Sequence, residues 1–361
     1  MPRFTISAEG RWPVQLACVL IVCWLGLCPR LAAQQPAAQQ AGTAERSRVY
    51  YGHDPSMMVG YEPNGPAVEA MTDQLVMAAT GQKTVAGAWR SLISPSDHVG
   101  IKIAAAGGRS FSTHIPIVRA VLRGLAEAGI PMSQVVIWDR ANPDQAGYYA
   151  EPGGPAIRHI EPFTGYDPKA VVSMPATGRL IWGDVAFQPR GPDPLAPPAR
   201  ELYSVESHWS RLICGLNKII NIPVMSSSED CGVAGCVYNL TVPNIDNWRR
   251  FVTQWPDPYL AELYADPHAG PKVVLNIMDG LIAQYGGGPD WQPSYSWCHA
   301  TLYAGNDPVA IDSTALRLLE TWRQDAKLPP LTDNAKYLQT AATMGLGNYL
   351  PSQIEMVKVG Q

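Results

Sequence analysis

The sequence predicts an α/β fold: a mostly parallel sheet flanked by helices, with a Pro/Gly-rich insertion over 141–200. Three observations carry this expectation. Residues 97–140 read strand, helix, strand, a crossover unit whose two strands must run parallel. Further strand-like runs, "LNKIINIPVM", "KVVLNIMDG" and "ATLYAG", follow at intervals. A well-signalled helix comes last, in "NDPVAIDSTALRLLETWR". Such alternation layers helices on a sheet.

The elements can be justified in chain order. Arg3 and Arg11 precede an apolar stretch, Val14 to Cys28, broken only by Gln15; Leu31-Ala32-Ala33 then leads into a Gln/Ala-rich run. This is the layout of a Sec-type signal peptide over 1–33, cleaved after Ala33, with no twin-arginine pair. The apolar stretch falls short of the roughly 20 residues that span a bilayer. The chain is therefore expected to be secreted or periplasmic, with no membrane attachment after cleavage. Residues 34–48 read as a disordered leader and 49–361 as a single large α/β domain. Helical patterning covers 63–81 and 84–93. In "DHVGIKIAAAGG", Val99, Ile101 and Ile103 alternate onto one face and Lys102 onto the other, which predicts a strand. From Thr113, a plausible cap, apolar residues recur at helical spacing until Gly129. "QVVIWDR" is the second strand of the unit and ends in Asp139-Arg140. The last helix takes Asp307 as its cap and Pro308 at its first position.

Composition excludes some classes. The 361-residue chain carries 27 Lys and Arg against 31 Asp and Glu, a net charge of −4, without a basic cluster. Nucleic acid is not an expected partner; a small anionic ligand is. The seven histidines include no H-x-x-x-H or H-x-H pair, and no G-x-S-x-G elbow is present. Metal and cofactor stay unassigned, as does the oligomeric state. No ferredoxin-type cysteine run exists, so an iron–sulfur cluster is not indicated.

Ligands of parallel sheets bind where strands end and helices begin. Asp139, Arg140, Asp279 and Asp307 lie at or just beyond predicted strand ends. Asp139 and Asp279, with Lys102, are the catalytic candidates, expected to converge with Asp307 at one sheet edge; the alternative is that each aspartate only caps a turn or helix. Lys102 could hold an anion as a point charge, or be an edge-strand lysine that blocks aggregation. Gly286, Gly287 and Gly288 could cradle an anion with their amides, or form a plain turn. Asp312 follows Asp307 by five residues, so about 140° of helix rotation separates them. Arg140, Asp307 and Asp312 are ligand-binding candidates; Asp312 should face the sheet or a neighbouring element and meet a backbone amide or an arginine. Cys214, Cys231, Cys236 and Cys298 lie beyond the signal. In an oxidising compartment they are expected to pair, Cys231 with Cys236 or either with Cys214 or Cys298.

The runs "DHVGIKI", "VVIWDR", "KIINIPV", "CGVAGCVYNL", "YLAELY", "VVLNIMDGLIAQYGGGP" and "YAGNDPVAIDSTA" together resemble the domain of unknown function 362 family over roughly 95–325. The resemblance implies an α/β domain of bacterial origin, frequently exported. Against the family pattern, Lys102 and Asn239 are kept, and Asn239 joins the ligand candidates. Ala104 stands in place of Asn, Ser226, Ser227 and Ser228 in place of Lys-Asp-His, Ala234 in place of Thr and Tyr238 in place of Lys. The segment thus reads as a family ligand loop that has lost its cationic and imidazole groups. Two functions follow as expectations: an exported enzyme acting on a small anionic or metal-bound substrate, or a non-catalytic binding or structural protein on a degenerated scaffold.

Overall fold

The computed structural model describes residues 46–172, 207–253 and 256–360. The signal segment, most of the leader and residues 173–200 of the insertion lie outside the described residues. The strands are β1 (Ser47–His53), β2 (Met58–Val59), β3 (Glu62–Pro63), β4 (Val99–Ile103), β5 (Val135–Asp139), β6 (Ala156–His159), β7 (Tyr166–Val171), β8 (His208–Ser210), β9 (Lys218–Ile222), β10 (Val224–Ser228), β11 (Gly232–Val233), β12 (Val273–Gln284), β13 (Ser296–Gly305) and β14 (Ile354–Lys358). One mixed, mostly parallel sheet runs β14-β1-β13-β12-β9-β4-β5-β6, and β10 branches from it to pair with β11 and β12. The pairs β12–β9, β9–β4, β4–β5 and β5–β6 are parallel. β13 is antiparallel to both β12 and β1.

Helices cover both faces. One layer holds Gly65–Thr80, Val85–Leu92 and Ile115–Glu127; the other holds Cys236–Thr241, Tyr259–Ala265, Pro308–Asp325 and Tyr337–Thr343. β4 is central, so all five of its residues are buried. Interior strands of a parallel sheet are covered on both sides, which is why the expected apolar–polar alternation ends with Lys102 inside the second layer rather than in water. An edge-strand role for Lys102 is thereby removed.

Two boundaries differ from the sequence reading. Ser47 and Arg48, assigned to the leader, already belong to β1, and the edge strand β6 comes from within the Pro/Gly-rich insertion. Nor does β12 stop at Asp279-Gly280. It continues to Gln284 through a register shift between Gly280 and Ile282, and changes parallel partner from β9 to β10 on the way. A Cβ at Gly280 would lie 2.7 Å from the Thr301 carbonyl oxygen, so only glycine fits this irregularity.

Candidate functional site

Lys102 and Asp139 meet, but facing inward. Lys102 Nζ donates to Asp139 Oδ1 at 2.7 Å, to the Ile103 carbonyl at 2.7 Å and to Asn239 Oδ1 at 3.1 Å. Three acceptors satisfy the three donors of an ammonium. Asp139 Oδ2 accepts the Ala105 amide at 2.8 Å. The polar chain continues away from the surface. Asn239 Nδ2 donates to Asn221 Oδ1, and Asn221 Nδ2 to Asn276 Oδ1, each at 2.9 Å. Burial pushes the Lys102 pKa down, opposed by Asp139. Lys102 is wholly buried, so this group ties β5, β4, the helix Cys236–Thr241, β9 and β12 together and presents no face to a ligand. Arg140 is likewise engaged: it donates to the carbonyls of Val242 and Ile245 and lies over the Trp248 ring.

Asp279 lies on the opposite face of the sheet. Its Oδ2 accepts from the His114 amide at 2.8 Å and from His114 Nδ1 at 2.7 Å, and Oδ1 accepts the Leu281 amide at 3.1 Å. The expected convergence of Asp139, Asp279 and Asp307 does not occur. β13 runs antiparallel to β12, so its C-terminal end emerges at the other sheet edge. There Asp307 caps the helix Pro308–Asp325 through the Ala310 amide at 2.8 Å and accepts from Ser47 and from the Asn348 amide.

Three more expectations resolve as structure. The amide of Gly287 donates to Glu229 Oε1 at 2.9 Å and that of Gly288 to Ser227 Oγ at 3.3 Å, so a side chain of the protein already occupies the glycine turn and no anion cradle is open there. Asp312 is wholly buried and accepts the amides of Cys236 at 2.6 Å and Val237 at 2.9 Å, closing the start of the helix Cys236–Thr241 from a neighbouring helix. Burial raises its pKa to about 7 despite those two hydrogen bonds. The expected disulfide is absent: Cys214, Cys231, Cys236 and Cys298 are free. Gly232 and Val233 extend as β11 along β10, while Cys236 is fixed by Asp312, so the four intervening residues hold the cysteines apart. Burial raises both thiol pKa values, for Cys236 with the help of Asp312.

The cavity that does open at the strand ends was missed by the sequence reading. The loops leaving the C-terminal ends of the adjacent parallel strands β4 and β5 enclose about 290 Å³ beside the start of the helix Ile115–Glu127. Glu62, Arg109, Ser112, His114 and Tyr149 are among its lining residues. Thr113, expected to cap the helix, is turned to the sheet instead: its hydroxyl donates to the Ile222 carbonyl at 2.7 Å and accepts the Ala104 amide at 2.9 Å. The Tyr148 hydroxyl secures the Thr113 carbonyl at 2.7 Å. Pinned this way, the segment presents its neighbours Ser112 and His114 to the cavity. Ser112 is 4% exposed and its hydroxyl has no partner. His114 Nδ1 is committed to Asp279, which leaves Nε2 as the ring atom for a ligand. Burial opposes charge on His114, but the Asp279 carboxylate and Glu62 outweigh it and the pKa is raised. Arg109 reaches Tyr149 Oη at 2.9 Å near the mouth. A carboxylate-oriented imidazole of this kind can donate or accept a proton. The Ser112 hydroxyl is not bonded to the ring, so the geometry is that of a proton donor and a separate hydroxyl, not of a serine–histidine nucleophile pair. Among the described residues no group of three or more His, Cys, Asp or Glu is arranged to hold a metal ion.

The signal for this site was "RSFSTHIP", a polar triplet between the first strand and its crossover helix. Scattered along the chain, the histidine had no visible partner; its carboxylate lies 165 residues away.

Residues 188–317 match the family model described as "Domain of unknown function (DUF362)", which supports assigning the chain to that family. The runs from "KIINIPV" to "YAGNDPVAIDSTA" fall inside the match. Asp279 does too, whereas Ser112 and His114 precede it. A crystal structure of a Thermotoga maritima protein from the Northeast Structural Genomics Consortium is similar at 11% identity and a TM-score of 0.38, over 75% of this chain. The chain spans 61% of that protein, and a likeness this low carries no conclusion about function. No curated protein matches the chain.

Proposed function

We propose that the chain is an exported enzyme that acts on a small anionic substrate in the pocket beside the helix Ile115–Glu127, with the His114–Asp279 pair moving the proton. The buried pair carries this reading: a carboxylate sealed from water holds one ring nitrogen at 2.7 Å and leaves the other uncommitted on a residue that lines the cavity. A site built for a proton-transfer step needs such an oriented imidazole. Export is supported by the charged start, the Val14–Cys28 stretch and the small residues Ala32 and Ala33. The test uses protein recovered from the exported fraction of its expressing cell, with its N-terminus read by mass spectrometry. It is incubated with a small-metabolite extract beside His114→Gln. At least one anionic compound should be consumed by the unmodified protein and spared by the variant, and the N-terminus should be Gln34. If both proteins leave every compound unchanged, or both consume the same ones equally, His114 is not the proton carrier.

A further inference from the structure

The geometry points to a tetrahedral oxyanion, a phosphate or sulfate group free or at the end of a small ester, as the anchor recognised by Ser112, His114 and Arg109. This deepens, and rests on, the pocket reading given above.

The first observation is the unpaired hydroxyl. Ser112 lines the cavity, and its Oγ is buried without a partner. An orphaned buried hydroxyl costs free energy, and the cost is recovered when a ligand accepts from it. The second is the set of donors around the same space. The Asp279 contact occupies His114 Nδ1 and leaves Nε2 as the ring atom available to a ligand, and Arg109 contributes a guanidinium from the exposed side. The third is the helix of 13 residues, Ile115–Glu127, whose positive dipole end opens on the cavity.

Charge and burial set the orientation. Ser112 and His114 are buried, whereas Glu62, Arg109 and Tyr149 are exposed. The charged head therefore goes inward, away from the Glu62 carboxylate, and any organic remainder lies toward the mouth beside Tyr149. The donors discriminate by shape. A carboxylate offers two oxygens in a plane, whereas a hydroxyl, an imidazole and a guanidinium approaching from different elements are all satisfied by a head with three or more oxygens. The cavity volume lies at the lower end of small-molecule sites, which limits the remainder to a small group.

The test is calorimetric titration of the full chain at pH 6 with sodium sulfate, sodium phosphate and sodium acetate. Sulfate and phosphate should bind, and acetate at least about ten-fold more weakly. Ser112→Ala should weaken sulfate about ten-fold while leaving the unfolding temperature unchanged or raised, because it removes a group that no protein atom satisfies. Arg109→Gln should weaken both tetrahedral anions and leave folding intact. Acetate binding as tightly as sulfate would overturn the tetrahedral assignment. So would Ser112→Ala binding sulfate like the unmodified protein. If no anion binds while an extract compound is still consumed in a His114-dependent way, this inference fails and the proposed function stands.

Discussion

Lys102 shows how one residue can be read correctly in chemistry and wrongly in place. Its side chain does meet Asp139 and Asn239, but inside the sheet sandwich. Sequence periodicity gives the face a strand residue points to; it does not say whether that face is covered, since coverage depends on helices more than a hundred residues later. The pair should act as structure. Asp139→Ala strands a buried ammonium and should cost about 3–5 kcal/mol. Lys102→Met with Asp139→Asn removes both charges while keeping most of the volume, and should be less destabilised than the single alanine variant. Urea unfolding of the two proteins decides this. A double variant worse than Asp139→Ala would mean that the pair contributes more than mutual neutralisation.

At the scale of elements, the strand–helix–strand unit, the helix Pro308–Asp325 and its Asp307 cap were legible, because their signals are local: a period of two, a period of 3.6, a capping residue before proline. The loop "SSSEDCGVAGC" was not. Its two cysteines are close in sequence, yet the intervening residues spend themselves on the β10–β11 hairpin and on Gly235, which packs beneath Asp312. A Cβ at Gly235 would lie 2.1 Å from Asp312 Oδ1 and 3.0 Å from Met278 Cε. Gly235→Ala should therefore dislodge the carboxylate from the Cys236 and Val237 amides and cost more than about 2 kcal/mol. Gly60, with φ of 64° and nothing within 4 Å of an added Cβ, is the control. There alanine should cost about 1 kcal/mol from backbone strain alone. Equal losses at both positions, measured by thermal unfolding, would mean that the contact with Asp312 is unimportant.

For the whole molecule, Asp312 predicts how stability varies with pH. Around it lie the Cys236 thiol, Asp307, Tyr264 and Tyr337. Its pKa rises from 3.8 to about 7 on folding. Between those values the folded chain holds a proton that the unfolded chain has released, so stability falls as pH rises through the window and levels off above about 7. The size of the effect is on the order of a few kcal/mol. His114 adds to the trend: its raised pKa favours the folded state below the unfolded histidine value, and that gain is lost as pH rises through the folded one. Asp312→Asn should be less stable overall, since its amide nitrogen opposes one backbone N–H, but its midpoint in urea should change less between pH 4.5 and 7.5. Parallel pH profiles for variant and unmodified protein would exclude Asp312 as the titrating group.

The sheet is also closed by a distant partnership. β1 lies between β13 and β14, and the pairing of Arg48 with Glu355 joins positions 307 residues apart. Bringing such positions together costs about 5 kcal/mol of chain entropy by the logarithmic loop-closure relation, and that cost falls due before the strand pairing rewards it. β1, the first of the described strands, therefore has no partner until β13 and then β14 have followed it. Pairing at this seam is therefore expected to be a slow step of folding, and a chaperone that shields residues 47–53 during the wait should lower the yield of aggregate.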